Sequence, residues 1–403
     1  MNILFLHRDF PGQFKYIAPE LAKNPLNLVL FITAEDKIPS PLGINKLVYK
    51  VQKQASQCHP YAKTFEENVL HGRAAAEIAM AMKEKGIIPD IIFGHSWGLT
   101  MFMKDVFPDV PILDYFEWFW NAQGAVIGFD ANVPTTDFKT NLRASNAQTL
   151  VDLCSCDAGI TPTEWQKSQF PKDFHDKIKV IHDGVDTEIC KPDENATFFI
   201  TNKNLTLTSQ DEVITYATRG MEPYRGFPQV MEAIEKLQKT RPKAHFIIGG
   251  EDRVCYGEKL NSGSYKQIML KKLSLDMSRV HFVGGLTFND YLKILQISSV
   301  HIYSTMPFVL SWSILEAMAC ECCVVASSTQ PVLEVMKDNE NGLLFDFYNV
   351  DELVEKVDYA LKNPNKAAEI GKNARQTIIE KYELKDCLAR QLEFIQEEVG
   401  NRK

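Results

Sequence analysis

Short runs of hydrophobic residues alternate with amphipathic helical stretches along the whole chain. Helical periodicity is clear in FEENVLHGRAAAEIAMAMKEKG, whose last turn is basic and whose end carries a glycine. In the first half, the runs with the length and residue types of buried strands are NILFLH, NLVLFIT, DIIFGH, VPILDYFE, AGITP and IKVIHDG. This alternation predicts an α/β fold.

The alternation starts again after the polar stretch KPDENATFFITNKNLTLTSQDE, whose composition is typical of an inter-domain connection. The strands expected beyond it are VITYAT, AHFIIGG, RVHFVGG, SVHIYS, CVVASS and GLLFD. We predict two doubly wound Rossmann-like domains over residues 1–190 and 191–375, and a C-terminal helix over 376–403 that packs back on the first domain. Because ligands of such sheets bind beyond the carboxyl ends of the strands, two facing domains would share one cleft.

Length and charge narrow the class of protein. A chain of 403 residues is too long for one ordinary core, and its 45% hydrophobic and 24% charged residues are typical of a globular enzyme. The net charge of −8 gives no overall attraction to nucleic acid, so no nucleic-acid partner is expected. No apolar run approaches the ~20 residues of a membrane-spanning helix.

The first residues and the cysteines bear on the compartment. MNILFLHRDF lacks a basic n-region and a cleavage site, so we interpret it as a buried strand rather than a signal peptide. The nine cysteines are odd in number, and Cys320, Cys322 and Cys323 lie in apolar runs, which favours buried, reduced thiols. Cys154 and Cys156 have no second pair at the spacing of a metal site. We expect a cytoplasmic protein.

Two arginines in the second half are candidates for binding a diphosphate. The common nucleotide motifs are absent, since the first loop is RDFPGQF rather than G-x-G-x-x-G and no P-loop occurs. Arg219 follows VITYAT, and Arg225 lies in the loop beyond it. Each guanidinium can bridge two phosphate oxygens at the mouth of a sheet. A pair of surface arginines is the alternative.

A lone carboxylate, Glu316, lies in the apolar helix that follows SVHIYS and TMPFVLSWS. Backbone N–H groups near Ser311 and Trp312 would point at the strand-end crevice, where the helix dipole favours an anion. A buried carboxylate needs hydrogen-bond donors. The two hydroxyls of a ribose would supply them, and a neighbouring arginine or lysine would do so equally well.

Four segments together resemble the donor-binding half of family 4 glycosyltransferases of the GT-B architecture. They are TRGMEPYRGF, VHFVGGL, LSWSILEAMACECCVVASS and NENGLLFD, and HDGVD resembles the Asn-Gly-Val-Asp signature of that family. The first half resembles a bacterial subgroup through FPGQF, GHSWG, YFEWFW and TPTEWQ. The resemblance covers nearly the whole chain.

The resemblance implies retaining transfer of a sugar from a nucleoside diphosphate sugar, in the cleft between the domains and without a required metal or other cofactor. In the second domain, it implies that catalytic Arg219 and Arg225 bind the diphosphate. The amides of Ser311 and Trp312 would hold phosphate oxygens, and Glu316 would hold the ribose.

The resemblance also implies roles for residues near the base, the sugar and the opposite side of the cleft. The backbone around Gly285 and Leu286 would meet the base. Catalytic His95 would lie near the donor sugar, and Gly12 and Gln13 would face the diphosphate from the first domain.

Two positions depart from the family pattern. The basic residue at the position of Arg225 is usually lysine, and arginine keeps its charge. The E-x7-E pattern of the family has its first glutamate where this chain has Phe308. That glutamate normally lies near the transferred sugar, so the sugar and the details of catalysis do not follow from the resemblance.

The first domain leaves several interpretations open. His95 would act as a general base or as a positioning hydrogen-bond partner. Glu117 lies among aromatic residues that would stack on a sugar, line an acceptor site or pack as a domain surface. Trp118 and Trp120 would alternatively touch lipid, as expected for contact with the inner face of a membrane.

We therefore predict a glycosyltransferase that acts on a glycan, lipid-linked or other acceptor in bacterial surface polysaccharide or glycoconjugate biosynthesis. A sugar-nucleotide 2-epimerase of the same architecture would bind the same donor but would need no acceptor. A non-catalytic sugar-nucleotide-binding protein is a third possibility, which Phe308 motivates.

Overall fold

The computed structural model describes residues 1–51, 57–121, 124–129, 136–257 and 259–400, with the backbone alone for residues 136–140. The chain folds into two compact units, which are described separately. The first comprises Met1–Gly184 with Lys385–Lys403, and the second comprises Val185–Leu384.

A seven-stranded parallel sheet forms the centre of the first unit. Its strands are β1 (Asn2–Leu6), β2 (Leu28–Thr33), β3 (Ile44–Val48), β4 (Ile91–His95), β5 (Ile112–Tyr115), β6 (Ala158–Thr161) and β7 (Ile178–Val180). They lie in the order β3-β2-β1-β4-β5-β6-β7, so the winding direction reverses between β1 and β4. In the register of the sheet, Leu4 pairs with Leu30 on one side and with Ile92 on the other.

Helices cover the sheet of the first unit. They are α1 (Ile17–Ala22), α2 (Lys63–Glu84), α3 (Met103–Val106), α4 (Val126–Phe129), α5 (Thr136–Ser145), α6 (Ala147–Ser155) and α7 (Glu164–Gln169). The longest, α2, buries Ala75, Ala79 and Met82 at helical spacing. Because two of these side chains are small, the helix packs closely on the core that contains Leu4 and Ile92.

A six-stranded parallel sheet and a two-stranded antiparallel hairpin form the second unit. The strands are β8 (Thr197–Ile200), β9 (Leu205–Thr208), β10 (Val213–Gly220), β11 (His245–Glu251), β12 (Val280–Gly284), β13 (Val300–Tyr303), β14 (Val324–Ser327) and β15 (Leu343–Phe345). The order of the large sheet is β12-β11-β10-β13-β14-β15, so its winding reverses between β10 and β13.

The helices of the second unit pack on this sheet through one apolar face. They are α8 (Phe227–Thr240), α9 (Tyr265–Lys272), α10 (Phe288–Gln296), α11 (Trp312–Ala319), α12 (Gln330–Leu333), α13 (Val350–Lys362) and α14 (Pro364–Lys381). In α8, the residues Phe227, Val230, Ile234 and Leu237 are buried, at the spacing that turns one helical face to a core.

The last helix, α15 (Leu384–Gly400), packs on the first unit. Phe394 and Ile395 are buried in the core that contains Ile3 and Phe5 of β1. The Nζ atom of Lys179 lies 4.7 Å from the centroid of the Phe394 ring. The C-terminal segment is therefore part of the core of the first unit.

Every strand expected from the sequence is present, and the two doubly wound sheets confirm the predicted fold class. Two features were missed. Strand β3 was not predicted, because only Ile44 in it is buried. The stretch interpreted as a connection instead contains the β8–β9 hairpin, which buries Phe198 and Ile200 against the second unit. The predicted limits 1–190, 191–375 and 376–403 stay a prediction.

Two further expectations from the sequence concern membrane-spanning helices and buried cysteines. Among the described residues, no helix combines the length and the apolar character that spanning a membrane requires. Cys320, Cys322 and Cys323 are buried, as expected from their apolar runs.

We predict that Phe394→Ala lowers the free energy of unfolding of the first unit by about 3–5 kcal/mol, because it leaves a cavity beneath α15. Tryptophan fluorescence during urea unfolding would measure this, since four of the five tryptophans, Trp97, Trp118, Trp120 and Trp165, lie in the first unit. Phe199→Ala, at a position 51% exposed in the hairpin, is the control. An equal effect of both variants would show that α15 does not contribute to the core.

Candidate functional site

The two winding reversals bring predicted site residues to one strand-end crevice in each unit. In the first unit, Gly12 and Gln13 follow β1, and His95 ends β4. In the second, Arg219 lies at the end of β10 and Ser311 follows β13. The loops after such strands diverge to opposite faces of the sheet, which leaves room for a ligand.

Arg225 is held between the two loops of the second crevice. It ends a 3₁₀ turn after β10, and the residue is 8% exposed. Its Nη1 donates to Thr305 Oγ1 over 2.7 Å and to the carbonyl oxygen of Val309 over 3.3 Å. Both acceptors belong to the loop after β13, so the guanidinium connects the two sides of the winding reversal.

The two loops approach closely because Gly226 follows Arg225. Its φ of +67° lies in the left-handed region, which a residue with a side chain rarely adopts. A Cβ atom built there would lie 2.1 Å from Ser304 Oγ. Glycine is therefore required for the contact that orients Arg225.

Two aromatic rings flank the Arg225 guanidinium. Its central carbon lies 5.4 Å from the ring centroid of Tyr256 and 5.9 Å from that of Phe308. The two rings are 5.2 Å apart. Phe308, which replaces the first glutamate of the family pattern, thus contacts this arginine through a cation–π interaction instead of an ion pair.

The carboxylate of Glu222 is the nearby negative group. Glu222 is fully buried, and its Oε2 accepts from the backbone N–H groups of Cys255 and Tyr256. Burial raises the pKa of Glu222, while the charges of Arg225 and Arg219 act against that shift. Arg219 itself is exposed at the end of β10. Within the described residues, Arg225 makes no ion pair at 4.0 Å or less.

Ser311 caps the helix that carries Glu316. Its Oγ accepts from the N–H of Ser313 over 3.2 Å, which is a usual N-cap arrangement. The N–H of Ser311 donates to the hydroxyl of Tyr303 over 3.1 Å. This hydrogen bond already uses the Ser311 amide, and the predicted role of Ser311 with phosphate oxygens stays a prediction. The role of Trp312 stays a prediction.

Glu316 is half-buried, one turn into α11. The hydroxyl of Tyr291 lies beside it and donates to the carbonyl oxygen of Ser313 over 3.2 Å. Burial first, and then the negative charge of Glu316, raise the pKa of Tyr291 well above its usual value. The carboxylate is therefore at the edge of the apolar helix rather than inside the core, and its predicted role with a ribose stays a prediction.

Gly285 and Leu286 follow β12, the strand two places from β10. Gly285 is exposed and Leu286 is half-buried. A Cβ atom at Gly249 of β11 would lie 3.3 Å from Leu286 Cδ1, so these two strand ends pack closely. The predicted contact of this backbone with a base stays a prediction.

The first crevice is built around His7, which the sequence analysis did not identify. Its Nδ1 accepts from the backbone N–H of Asp9 over 2.9 Å, so the proton is on Nε2, which donates to Gln13 Oε1 over 2.7 Å. A Cβ atom at Gly12 would lie 2.5 Å from the His7 ring. The side-chain oxygen of Gln13 is thus used to hold His7, and the predicted contact of Gly12 and Gln13 with a diphosphate stays a prediction.

His95 lies against His7 at the end of β4. The two ring centroids are 4.8 Å apart, and the ring of Trp97 is 4.2 Å from that of His95. Within the described residues, neither ring nitrogen of His95 has a hydrogen-bond partner. Burial, and then the neighbouring His7 and Arg8, lower the pKa of His95 well below its usual value. His95 is therefore a neutral imidazole with unused hydrogen-bonding capacity.

Among the described residues, Glu117 is the carboxylate that lies within 4.0 Å of a His95 ring nitrogen. Its Oε2 lies 3.9 Å from His95 Nε2, which is too long for a hydrogen bond. Trp118 lies 6.2 Å from Trp120 and 6.3 Å from Trp165, measured between ring centroids. These rings pack on one another, and the choice among sugar, acceptor and lipid contact stays open.

Several contacts of the site could not be found from the sequence. His7 directly follows β1, and a polar residue at a strand end of a winding reversal was the available signal. The packing of Phe308 on Arg225 and the donation from the Tyr115 hydroxyl to Asp183 over 2.9 Å join residues far apart in the chain. No local pattern indicates such pairs.

Comparison with known proteins adds to this geometry. Residues 26–190 match the family model for the Glycosyl transferase family 4 group, and residues 199–377 match that for Glycosyl transferases group 1. The crystal structure of Anabaena Alr3699/HepE in complex with UDP-glucose is similar with a TM-score of 0.70 at 17% identity. The similarity covers 98% of this chain and 100% of that one.

Curated relatives are similar over shorter segments. An uncharacterized glycosyltransferase of Methanocaldococcus jannaschii is 28% identical over 166 residues, which are 40% of this chain and 39% of the relative. The poly(ribitol-phosphate) alpha-N-acetylglucosaminyltransferase of Staphylococcus aureus is 26% identical over 184 residues, 45% of this chain and 35% of the relative. The matches thus span well under half the length of these relatives.

Two Rossmann-like domains with parallel sheets define the class, which is the GT-B fold of glycosyltransferases. The two family models identify the family within this class. Together they match most of the chain, which belongs to the glycosyltransferases, with a family 4 domain in its first half and a group 1 domain in its second half.

We predict that the first unit loses stability as the pH falls from 7 to 5, in part through His182. Burial lowers the pKa of His182 from 6.5 to about 4, so between these values the unfolded chain binds more protons than the folded one. Stability therefore falls as the pH drops below 6.5. His182→Asn, which keeps an acceptor for the Gly184 N–H, should lose about 2 kcal/mol less between pH 7 and pH 5.

Urea unfolding at both pH values, followed by tryptophan fluorescence, would measure this difference. His59→Asn at an exposed position is the matched control and should behave like the wild type. The same pH dependence in His182→Asn and the wild type would rule out a contribution from His182.

Proposed function

We propose that the protein transfers a sugar, with retention of configuration, from a nucleoside diphosphate sugar to a glycan, lipid-linked or other acceptor. We place this reaction in the synthesis of a bacterial surface polysaccharide or glycoconjugate, in the cytoplasm or at the inner face of the membrane. The GT-B fold and both family models support the reaction class.

The observation that carries the proposal is the environment of Arg225. This buried guanidinium is hydrogen-bonded to the hydroxyl of Thr305 and to a carbonyl oxygen, both of which are neutral. A buried cation that makes no ion pair within the described residues is costly, so an anionic ligand would complete the site. The location at a winding reversal is the one in which doubly wound sheets bind nucleotides.

The proposed chemistry needs this charge at the leaving group. Breaking the bond between sugar and phosphate develops negative charge on the diphosphate and positive charge on the sugar. Arg225, in the turn after β10, and exposed Arg219, at the end of β10, would stabilise that negative charge where it appears. Such stabilisation would supply electrostatically what a divalent metal supplies elsewhere, and we propose that no metal is required.

Glu316 would then hold the ribose of the nucleotide. Its carboxylate lies at the edge of α11, where both hydroxyls of a ribose would donate to it. Gly285 and Leu286 would lie against the base. Because the similar structure of Anabaena Alr3699/HepE is in complex with UDP-glucose, UDP is the first nucleotide to test.

His95 would act on the acceptor or the donor sugar as a neutral hydrogen-bond partner. His95 Nε2 and Glu117 Oε2 are 3.9 Å apart, which is too long for a direct hydrogen bond. A substrate hydroxyl placed between them would hydrogen-bond to both. The buried imidazole disfavours its charged form, which supports positioning over general-base catalysis. The Staphylococcus relative, by its name, acts on poly(ribitol-phosphate), and this supports a polymeric acceptor.

The reaction itself can be tested with UDP-sugars that carry a labelled sugar, with and without a panel of glycan and lipid-linked acceptors. We expect label to move to an acceptor with release of UDP, at a rate that a chelator does not change. Arg225→Ala should reduce this rate sharply, whereas Lys272→Ala, an exposed residue paired with Glu232 on the same unit, should not.

A new sugar epimer formed without acceptor would replace the proposal by the epimerase. Affinity for a UDP-sugar with no turnover over the whole panel would favour a binding protein. Loss of turnover with chelator would contradict the metal-free reaction alone.

We also predict that Glu316→Gln weakens UDP binding by roughly 1.5–3 kcal/mol, because charged hydrogen bonds to the ribose are lost. The sharper measurement is a cycle with 2′-deoxy-UDP, by titration calorimetry. Removing the 2′-hydroxyl should weaken binding to the wild type but cost much less in the variant. If the deoxy ligand loses the same affinity with both proteins, Glu316 does not contact the ribose.

A further inference from the structure

Arg8 of the first unit is a mostly buried arginine whose hydrogen bonds are incomplete. It directly precedes Asp9 in the loop after β1, and its side chain is 17% exposed. Its own carbonyl oxygen accepts from Thr33 Oγ1 over 2.8 Å and from the N–H of Ala34, so its backbone is fixed at the strand end. Within the described residues, its buried Nε has no hydrogen-bond partner.

Two arginines of the second unit are buried to a similar extent as Arg8, but their guanidinium groups donate hydrogen bonds to carboxylates. The side chains of Arg241 and Arg279 are 14% and 16% exposed. The Nε of Arg241 donates to Asp358 over 2.7 Å, and the Nε of Arg279 donates to Asp276 over 2.8 Å. In both arginines the Nε therefore has a carboxylate partner, whereas within the described residues the Nε of Arg8 has none.

The carboxylates around Arg8 are distant or exposed. Glu67 Oε1 lies 3.9 Å from Nη1, and its side chain is 61% exposed. Burial lowers the pKa of Arg8, and the interactions with Tyr49, Glu67 and Asp9 oppose this shift. Arg8 is therefore a desolvated cation that lacks a hydrogen-bonded counter-ion.

A chain of two amides connects Arg8 to a buried carboxyl pair. Arg8 Nη2 donates to Asn68 Oδ1, Asn68 Nδ2 donates to Gln148 Oε1 over 3.2 Å, and Gln148 Nε2 donates to Asp152 Oδ2. Since a guanidinium only donates, Asn68 Oδ1 must be the acceptor from Arg8, and this sets the orientation of both amides. The amide dipoles thus align from Arg8 toward Asp152.

The far end of this chain is fully buried. Asp152 lies beside Asp114, and Thr100 Oγ1 donates to Asp114 over 3.3 Å. Burial, and then the neighbouring Asp152, raise the pKa of Asp114 well above its usual value. Burial also raises the pKa of Asp152, to about 8, so both carboxyls favour their protonated forms at neutral pH.

We propose that Arg8 binds an anionic oxygen, of a phosphate or carboxylate group, at the winding reversal of the first unit, and that Asn68, Gln148 and Asp152 hold it there. The two amides are neutral, so the guanidinium is fixed in position but keeps its attraction for a ligand. The unpaired Nε supplies a donor for that ligand. This site does not rest on sugar transfer, because anion binding requires no turnover.

The test is a titration of the full chain labelled with ¹⁵N at arginine Nε, observed by NMR. The Nε–H resonance of Arg8 is assigned by its loss in Arg8→Lys, and that of Arg225 in the same way. Inorganic phosphate, acetate and UDP are the probes. We expect the Arg8 resonance to shift and saturate with at least one of them.

Asn68→Asp should weaken the binding measured at Arg8 by about tenfold or more, because it places a carboxylate against the guanidinium. It changes one atom of a side chain that already contacts Arg8, and circular dichroism would check its fold. Arg73→Gln is the matched control, since Arg73 is an exposed arginine on α2 that pairs with Glu77. Its affinity at Arg8 should equal that of the wild type.

Each outcome decides the proposal. Saturation with UDP but not with phosphate or acetate would assign the site to the nucleotide, and saturation with phosphate or acetate alone would assign it to an anionic group of another substrate. No shift at Arg8 with any probe, or equal weakening in Asn68→Asp and Arg73→Gln, would overturn it. Because the Arg225 resonance reports separately, failure at Arg8 is distinguishable from failure of the proposed donor site.

Discussion

The structure depends on one constraint, which is that a buried guanidinium needs a negative partner. Parallel strands end at one edge of a sheet, and the winding reversals leave a gap there in both units. Each gap contains an arginine, Arg225 or Arg8, whose contacts are mainly with neutral groups. Both side chains are held in place before any ligand arrives, so little ordering is required at binding.

The two crevices nevertheless differ chemically. In the second unit, the arginine is flanked by aromatic rings and lies close to buried Glu222. In the first unit, the arginine lies near His7 and His95, whose pKa values are both lowered, chiefly by burial. The first crevice therefore combines one fixed cation with one neutral imidazole, that of His95, whose nitrogens have no partner within the described residues.

The sequence predicted most of the fold because long apolar runs mark strands that are buried on both faces. It missed β3, in which one residue of INKLV is buried, and it misjudged the β8–β9 hairpin because polar composition hid the alternation around Phe198 and Ile200. Strand ends and the family pattern indicated the positions of Arg219, Arg225 and His95. The partners of these residues were not predictable, because contacts such as Phe308 with Arg225 join distant segments.

Gly226 shows how far a missing side chain can reach. The gap between the loop after β10 and the loop after β13 has the width of a bare peptide backbone, with Ser304 Oγ where a methyl group would have to fit. Adding that methyl would wedge the loops apart and pull Thr305 from the guanidinium, although residue 226 has no polar side-chain atom to offer a substrate. Residue 226 thus sets the distance between the two loops, although it has no functional group of its own. Whether a substitution at this position is tolerated should depend on the size of the new side chain rather than on its charge.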